Sequence, residues 1–282
     1  MNGRVGVPVR VRRVSSELRE LRLRSGLGAE EVAGALGFSM SKLSRIENGQ
    51  RGLYADDVSA LLGLYRVPAE RREELLKIVR TASSPNWWQV HGSRLPVLDD
   101  LVRFENEAMA FRNYETMVIP GLLQTSEYTV AMCEGSGRDL TPAEVDSFVG
   151  ERMARQTRLH AARARQFEFL VEQGALERLV GGAGVMYRQL KQLNITSSRD
   201  NVTLQVLPSS LGAHPGVDGP ILLLEFKNHE DLVLLENRGC TSYLEEVQHV
   251  VAARAAIERL REMALTPEDS AQLIASLADR LT

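Results

Sequence analysis

The chain has 282 residues, which at about 150 residues per domain predicts two domains. With 44% hydrophobic and 25% charged residues it has an ordinary globular composition, which excludes a disordered or fibrous chain. The formal net charge of −3 is unevenly spread: residues 1–80 carry 15 Lys and Arg against 10 Asp and Glu, and the remainder 19 against 27. A basic N-terminal module on an acidic body points to a polyanion-binding domain joined to a second domain.

No apolar run approaches the roughly eighteen residues of a membrane span, and the basic N-terminus lacks the apolar stretch of a secretory signal. Two cysteines, Cys133 and Cys240, are too few for a disulfide scaffold or a four-ligand zinc site. A reduced, cytoplasmic protein without membrane contact is expected.

Residues 1–14 read as a basic arm containing Arg4, Arg10, Arg12 and Arg13. Ser15 or Ser16 can then cap a first helix with Leu18 and Leu21 on its apolar face and Gly26 at its end. A second helix covers Ala29 to Leu36, with Val32, Ala33 and Leu36 inward and Gly37 closing it. Ser39 caps a third, through Met40, Leu43 and Ile46 to Asn48-Gly49. Asp56 and Asp57 open a fourth, with Val58, Leu61, Leu62 and Tyr65, and a fifth follows Pro68 with Leu75, Leu76, Ile78 and Val79. Residues 15–82 thus predict an all-α five-helix bundle, and Thr81-Ala-Ser-Ser-Pro85 reads as a linker with the boundary near residue 83.

Only Gly37-Phe38-Ser39 separates the second helix from the third, the spacing of a helix-turn-helix that presents its later helix to a major groove. The outward residues of that third helix are Ser41, Lys42, Ser44 and Arg45, with no acid before Glu47. Ser41 and Arg45 stand four apart on one face, where a hydroxyl and a guanidinium can both reach base edges.

The string LRELRLRSGLGAEEVAGALGFSMSKLSRIENGQRGL, above all Leu43-Ser44-Arg45-Ile46-Glu47-Asn48-Gly49, resembles the DNA-binding domain of the XRE family, which includes phage repressors of the lambda-repressor-like fold. The resemblance implies an ion pair between Arg22 and Glu47. It places Met40, Ser41, Ser44 and Arg45 at base-reading positions, and Ser39, Lys42, Gln50 and Arg51 at phosphates of double-stranded DNA. Arg12 and Arg13 of the arm are expected to add phosphate contacts, with a disordered solubilising tail as the equal alternative. One departure stands out: such domains often open the second helix with Ser/Thr-Gln, whereas this chain has Gly28-Ala29, leaving only backbone N–H groups for a phosphate.

From residue 84 to 282 the pattern predicts an α+β domain with a mostly antiparallel sheet. Helices are expected at Val97 to Glu107, Leu122 to Cys133, Thr141 to about Ala164, Val185 to Leu193, about Glu245 to Met263, and after Thr266-Pro267. An extended run near Met109 to Ile119 is followed by strand candidates at Gln166–Glu172, Asn201–Leu207, Ile221–Phe226 and Leu232–Leu235. IPGLLQTSEY, RMARQ, LQVLPSSLGAHPG and ALTPEDSAQLI, with Trp87-Trp88 after the linker, resemble an uncharacterised domain that follows XRE domains in many actinomycete regulators. That resemblance implies a transcription regulator, often encoded beside a small partner protein.

No catalytic, cofactor or metal role is expected. The five histidines lack ligand spacing, Cys133 falls within a helix as a core residue, and the Gly181–Gly184 cluster is not followed by Lys-Ser/Thr. Trp87, Trp88 and His214, in the glycine- and proline-rich stretch 212–220, are candidates for an effector or partner surface. Against that stand two tryptophans wedged between modules and an ordinary hairpin loop. The long C-terminal helix, with Val247, Val250, Val251, Ala255 and Ile257, reads equally as dimer seam or core. The expectation is a homodimeric, sequence-specific regulator. The alternative is an antitoxin-like half of a two-protein system whose DNA binding depends on its partner.

Overall fold

The computed structural model describes residues 9–49, 53–80, 96–137, 139–160, 165–227, 230–236 and 241–282. The chain forms two compact units, Met1–Gln89 and Val90–Thr282. Gln50, Arg51, Trp87, Trp88 and Arg4 lie outside the described residues, as do the side chains of Arg10 and Arg13.

Among the described residues, the first unit holds five helices: α1 (Val9–Arg24), α2 (Ala29–Leu36), α3 (Met40–Glu47), α4 (Ala55–Leu64) and α5 (Ala69–Arg80). Their apolar faces share one core of Val14, Leu18, Val32, Leu43, Ile46, Val58, Leu61, Leu62, Leu75 and Leu76. Burying each such side chain contributes about 1.5–3 kcal/mol, which is what holds helices too short to persist alone. Helix α1 starts earlier than Ser15 or Ser16. Val11, Val14 and Leu18 form a continuous buried stripe that carries the helix back to Val9, and Ser15 is buried within it. Arg12, expected on a solvent-exposed arm, is therefore a buried residue of α1 at 6% exposure, with its Cα and Cγ packed against Gly49. It is not available to a phosphate in this arrangement.

The second unit contains α6 (Pro96–Glu107), β1 (Ala110–Glu115), α7 (Ser126–Gly135), α8 (Pro142–Gln156), β2 (Gln166–Glu172), α9 (Gln173–Glu177) and α10 (Ala183–Ser197). It continues with β3 (Val202–Leu207), β4 (Ile221–Glu225), β5 (Leu232–Glu236), β6 (Thr241–Leu244), α11 (Val247–Met263) and α12 (Pro267–Asp279). The six strands run in the order β3-β2-β1-β4-β5-β6. The β1-β2 and β2-β3 pairs are parallel and the other three antiparallel, so the sheet is mixed but mostly antiparallel.

Several boundaries differ from the sequence reading for local reasons. The stretch 121–123 is a short 3-10 turn and α7 begins only at Ser126, because Gln124 is extended and Thr125 caps the helix through Tyr128 N. Helix α8 has the expected capping box of Thr141 and Glu144 but stops at Gln156. Its last turn tightens to 3-10, which buries Leu159 and brings Arg158 to Glu105. The stretch 212–220 is not a hairpin loop, since two strands, β2 and β1, lie between β3 and β4 and the chain crosses both.

One face of the sheet is covered by α11 through Val250, Ala253, Ile257 and Leu260, which meet Tyr114, Leu170, Leu207, Leu223 and Val233. Ions tie the same contact together. Arg112 bridges Glu168 at 2.7 Å and Glu225 at 2.9 Å, and Arg254 bridges Glu225 and Asp231. Val250 and Ile257 are thus core, whereas Val247 and Val251 are 70% and 58% exposed. Segment 265–270 closes the outer side of β3: Leu265 N donates to Val206 O, Ser270 Oγ accepts from Val206 N at 2.9 Å, and Gln205 Nε2 donates to Leu265 O at 2.8 Å.

Candidate nucleic-acid interface

The turn between α2 and α3 is made by Gly37, whose φ of 65° is left-handed and costs a side-chain-bearing residue strain. Its N–H and that of Phe38 return to α2 carbonyls, and Ser39 then caps α3 by accepting from Lys42 N. The two helices are thereby set at a fixed angle, with Leu43 and Ile46 inward.

What remains outward on α3 is a polar, acid-free face. Ser41, Ser44, Arg45 and Asn48 are exposed, as is Met40 at its N-terminal rim. Arg45 Nε donates to Ser41 O at 3.1 Å, and Asn48 Nδ2 to Ser44 Oγ at 3.1 Å. The face thus carries hydroxyl, amide and guanidinium groups, the chemistry that reads base edges. Asn48, a helix terminator by sequence, joins this face through its spacing of four from Ser44.

The back of α3 is anchored to α1. Arg22 Nε and Nη2 donate to the two Glu47 oxygens at 2.7 and 2.9 Å, and Nη1 to Leu27 O at 3.2 Å. The side chains are 11% and 7% exposed, and the bonded carboxylate holds the guanidinium above its usual pKa. Burial, reinforced by Glu47, also pushes the neighbouring Tyr65 phenol upward. Both Glu47 carboxylate oxygens are thus engaged by Arg22.

Two expected phosphate contacts are engaged within the protein. The Lys42 ammonium lies 2.7 Å from Asp57 Oδ1 and 3.8 Å from the Phe38 ring centroid. At the start of α2, Gly28 N donates to Glu31 Oε2 at 2.7 Å, and Glu30 stands in the same turn. One of the backbone donors left there for a phosphate is thus taken by a carboxylate.

In the second unit, the sequence motifs that mark the domain converge on a polar interior. Gln124 Nε2 donates to Ile119 O at 2.6 Å, while its Oε1 accepts from Thr129 and Arg152 and its backbone O from Gln156. Gln189 bridges Thr125 N and Leu123 O, and Tyr128 Oη accepts from Ile119 N. Arg155 meets Glu105 at 3.0 and 2.5 Å, and Arg158 shares that carboxylate, which is 1% exposed. Nearby, burial lowers the Arg152 pKa and raises that of Glu115 to about 7.

His214 is not an open contact residue. Its Nδ1 accepts from Gly216 N at 3.2 Å, so Nε2 carries the hydrogen and faces Glu172 Oε1 at 3.3 Å. Tyr114 Oη donates to the same oxygen at 2.7 Å. Both ring nitrogens are committed to fastening the 3-10 turn Pro215–Asp218, and the side chain is 10% exposed. Cys133 is buried. Among the described residues, no three His, Cys, Asp or Glu side chains are grouped to hold a metal, and no helix is long and apolar enough to cross a membrane.

A short α2–turn–α3 pair with a buried back and a polar front defines a helix-turn-helix domain. Residues 13–75 match the family described as a helix-turn-helix domain. Residues 98–276 match a second family, described as a domain of unknown function (DUF5753), and the chain belongs to that family. No curated protein and no solved structure matches the chain.

Proposed function

We propose that the protein is an XRE-type, sequence-specific regulator of transcription that binds double-stranded DNA as a homodimer in the cytoplasm. The observation that carries this reading is the exposed front of α3, on which Ser41, Ser44, Arg45 and Asn48 stand without an acid while Arg22 and Glu47 hold the helix from behind. Arg45 and Ser41 read bases, Met40 and Ser44 flank them, and Ser39 marks the helix N-terminus at a phosphate. Arg13, Gln50 and Arg51 are proposed to add phosphate contacts.

A single small domain buries too little surface for tight specific binding, so two copies on half-sites roughly 34 Å apart, or a multiple of that, complete the site. The second domain supplies the pairing and receives the input, an effector or a small partner protein. Exposed Val247 and Val251 on α11 and Val217 beside it support such a contact role.

Titration of the full-length protein with its own upstream region and with a random duplex tests the reading. A specific complex with a steep salt slope is expected. Arg45→Ala should cost about 1–3 kcal/mol on the specific duplex and much less on the random one. Equal losses on both would make Arg45 a phosphate contact only. Weak and equal binding of both duplexes by the wild type would favour the second reading, an antitoxin-like protein completed by a partner. The carboxylate-occupied start of α2 supports that alternative.

A further inference from the structure

We propose that Asp57 holds Lys42 in reserve and thereby limits how strongly the helix-turn-helix domain grips the DNA backbone. The inference rests on the DNA-binding reading above and adds a residue that competes with phosphate.

On α3 the buried residues are Leu43, Ile46 and Glu47, and the exposed ones Met40, Ser41, Ser44 and Arg45. At 100° per residue, Lys42 falls on the flank of the exposed face, on the Arg45 side. A side chain on the flank of a helix in a groove faces the sugar-phosphate wall, not the bases. Lys42 is turned from that wall by two partners: its ammonium sits 2.7 Å from Asp57 and 3.8 Å from the centre of Phe38. Lys42 and Asp57 keep 28% and 18% of their side-chain surface in solvent, so the pair is open to exchange rather than locked in the core.

The surroundings act in the same direction. Asp57 shares the first turn of α4 with Asp56, and the first turn of α2 carries Glu30 and Glu31. Of the three helices α2, α3 and α4, only α3 has no acid in its first turn. Carboxylates thus stand at both helix N-termini that flank the reading helix, where a phosphate would otherwise be favoured. A phosphate approaching Lys42 must displace Asp57 and approach a second acid. Base-reading groups are untouched by this arrangement, so the sequence-independent part of the affinity is the part held down.

Freeing Lys42 adds one phosphate contact. Each contact steepens the dependence of log K on log salt by about 0.9, equivalent to an extra loss of roughly 3.5-fold between 50 and 200 mM salt. The test uses the full chain as wild type, Asp57→Asn, Lys42→Ala and the double variant, titrated over that range with a random duplex. Asp57→Asn is expected to bind several-fold tighter at low salt with the slope steeper by about 0.9, and Lys42→Ala is expected to abolish that gain. Asp57→Ser, suited to the first turn of a helix, replaces Asp57→Asn if the latter melts early.

An unchanged or weaker Asp57→Asn complex would make the pair a clamp between α3 and α4 and overturn the proposal. So would a gain that persists in the double variant, because Asp57 would then act by repulsion alone. If the wild type and Asp57→Asn bind neither the random duplex nor the upstream region, the DNA reading falls with the inference. Wild-type binding with no Asp57 effect removes the inference only.

Discussion

Replacing Arg22 with Ala removes the bonds at 2.7 and 2.9 Å to Glu47 and the one at 3.2 Å to Leu27, leaving a carboxylate of 7% exposure beside the Tyr65 ring. Breaking a buried pair from one side costs about 3–5 kcal/mol, because the surviving charge has lost water as well as its partner. Domains of this size have a total stability of about 5–15 kcal/mol, and each kcal/mol shifts melting by about 4–8 °C. Differential scanning calorimetry of the full chain should therefore show the transition of the Met1–Gln89 unit falling by at least about 12 °C, with that of Val90–Thr282 unmoved. Arg22→Met with Glu47→Leu removes both charges and should recover most of the loss, since no ion is left stranded. Base preference should be unaltered wherever the variant is folded. A loss under about 1 kcal/mol, or a double variant no better than the single one, would refute the role of this pair in seating α3.

Three further outcomes follow from the second unit. Burial raises the Glu115 carboxyl from 4.5 to about 7, so the folded protein binds more protons than the unfolded chain between those values. Its stability contribution is intact below pH 4.5 and is lost as pH rises through 7; Glu115→Gln should flatten that segment of a urea-denaturation pH profile and gain up to about 3 kcal/mol at pH 8. A profile parallel to the wild type would refute this. A Cβ on Gly216 would lie 2.1 Å from Tyr114 Oη and 2.3 Å from Cζ, so Gly216→Ala should destabilise by about 1–3 kcal/mol or more in thermal melting. Tyr114→Phe should not rescue it, because Cζ remains. Glu105→Gln takes the shared carboxylate from Arg155 and Arg158 and should destabilise the second unit by about 3–5 kcal/mol, against little change if solvent screens them.

The helical unit was legible because its signals are local. Gly37 at the turn, Ser39 at the cap and apolar residues at helical spacing each act within a few positions. The start of α1 was misplaced because Ser15 and Ser16 look like caps, although the Val11, Val14, Leu18 stripe runs through them. The polar partners were less accessible. Asp57 comes to Lys42 from another helix, and Glu172 and Tyr114 reach His214 from strands far away in the chain. Strand β6 was missed because its four residues, Thr241 to Leu244, are too few for a periodic signal, and its pairing with β5 is what makes it a strand. The motifs IPGLLQTSEY and RMARQ stood out in the sequence without disclosing their work. Gln124, Arg152, Arg155 and Gln156 turn out to wire loops and helices together from inside.

The way segment 265–270 closes β3 bears on how the protein avoids its own aggregation. A border strand with free N–H and C=O groups invites a strand of another molecule to pair with it, and β3 is such a border. Here Leu265 and Ser270 occupy both backbone groups of Val206, while Gln205 grips Leu265. The carboxyl-terminal segment is in this sense a guard on the sheet. A chain truncated at residue 264 would lose that guard together with the buried Ile274, Leu277 and Ala278 of α12, and it should precipitate at concentrations where the full-length protein stays dispersed.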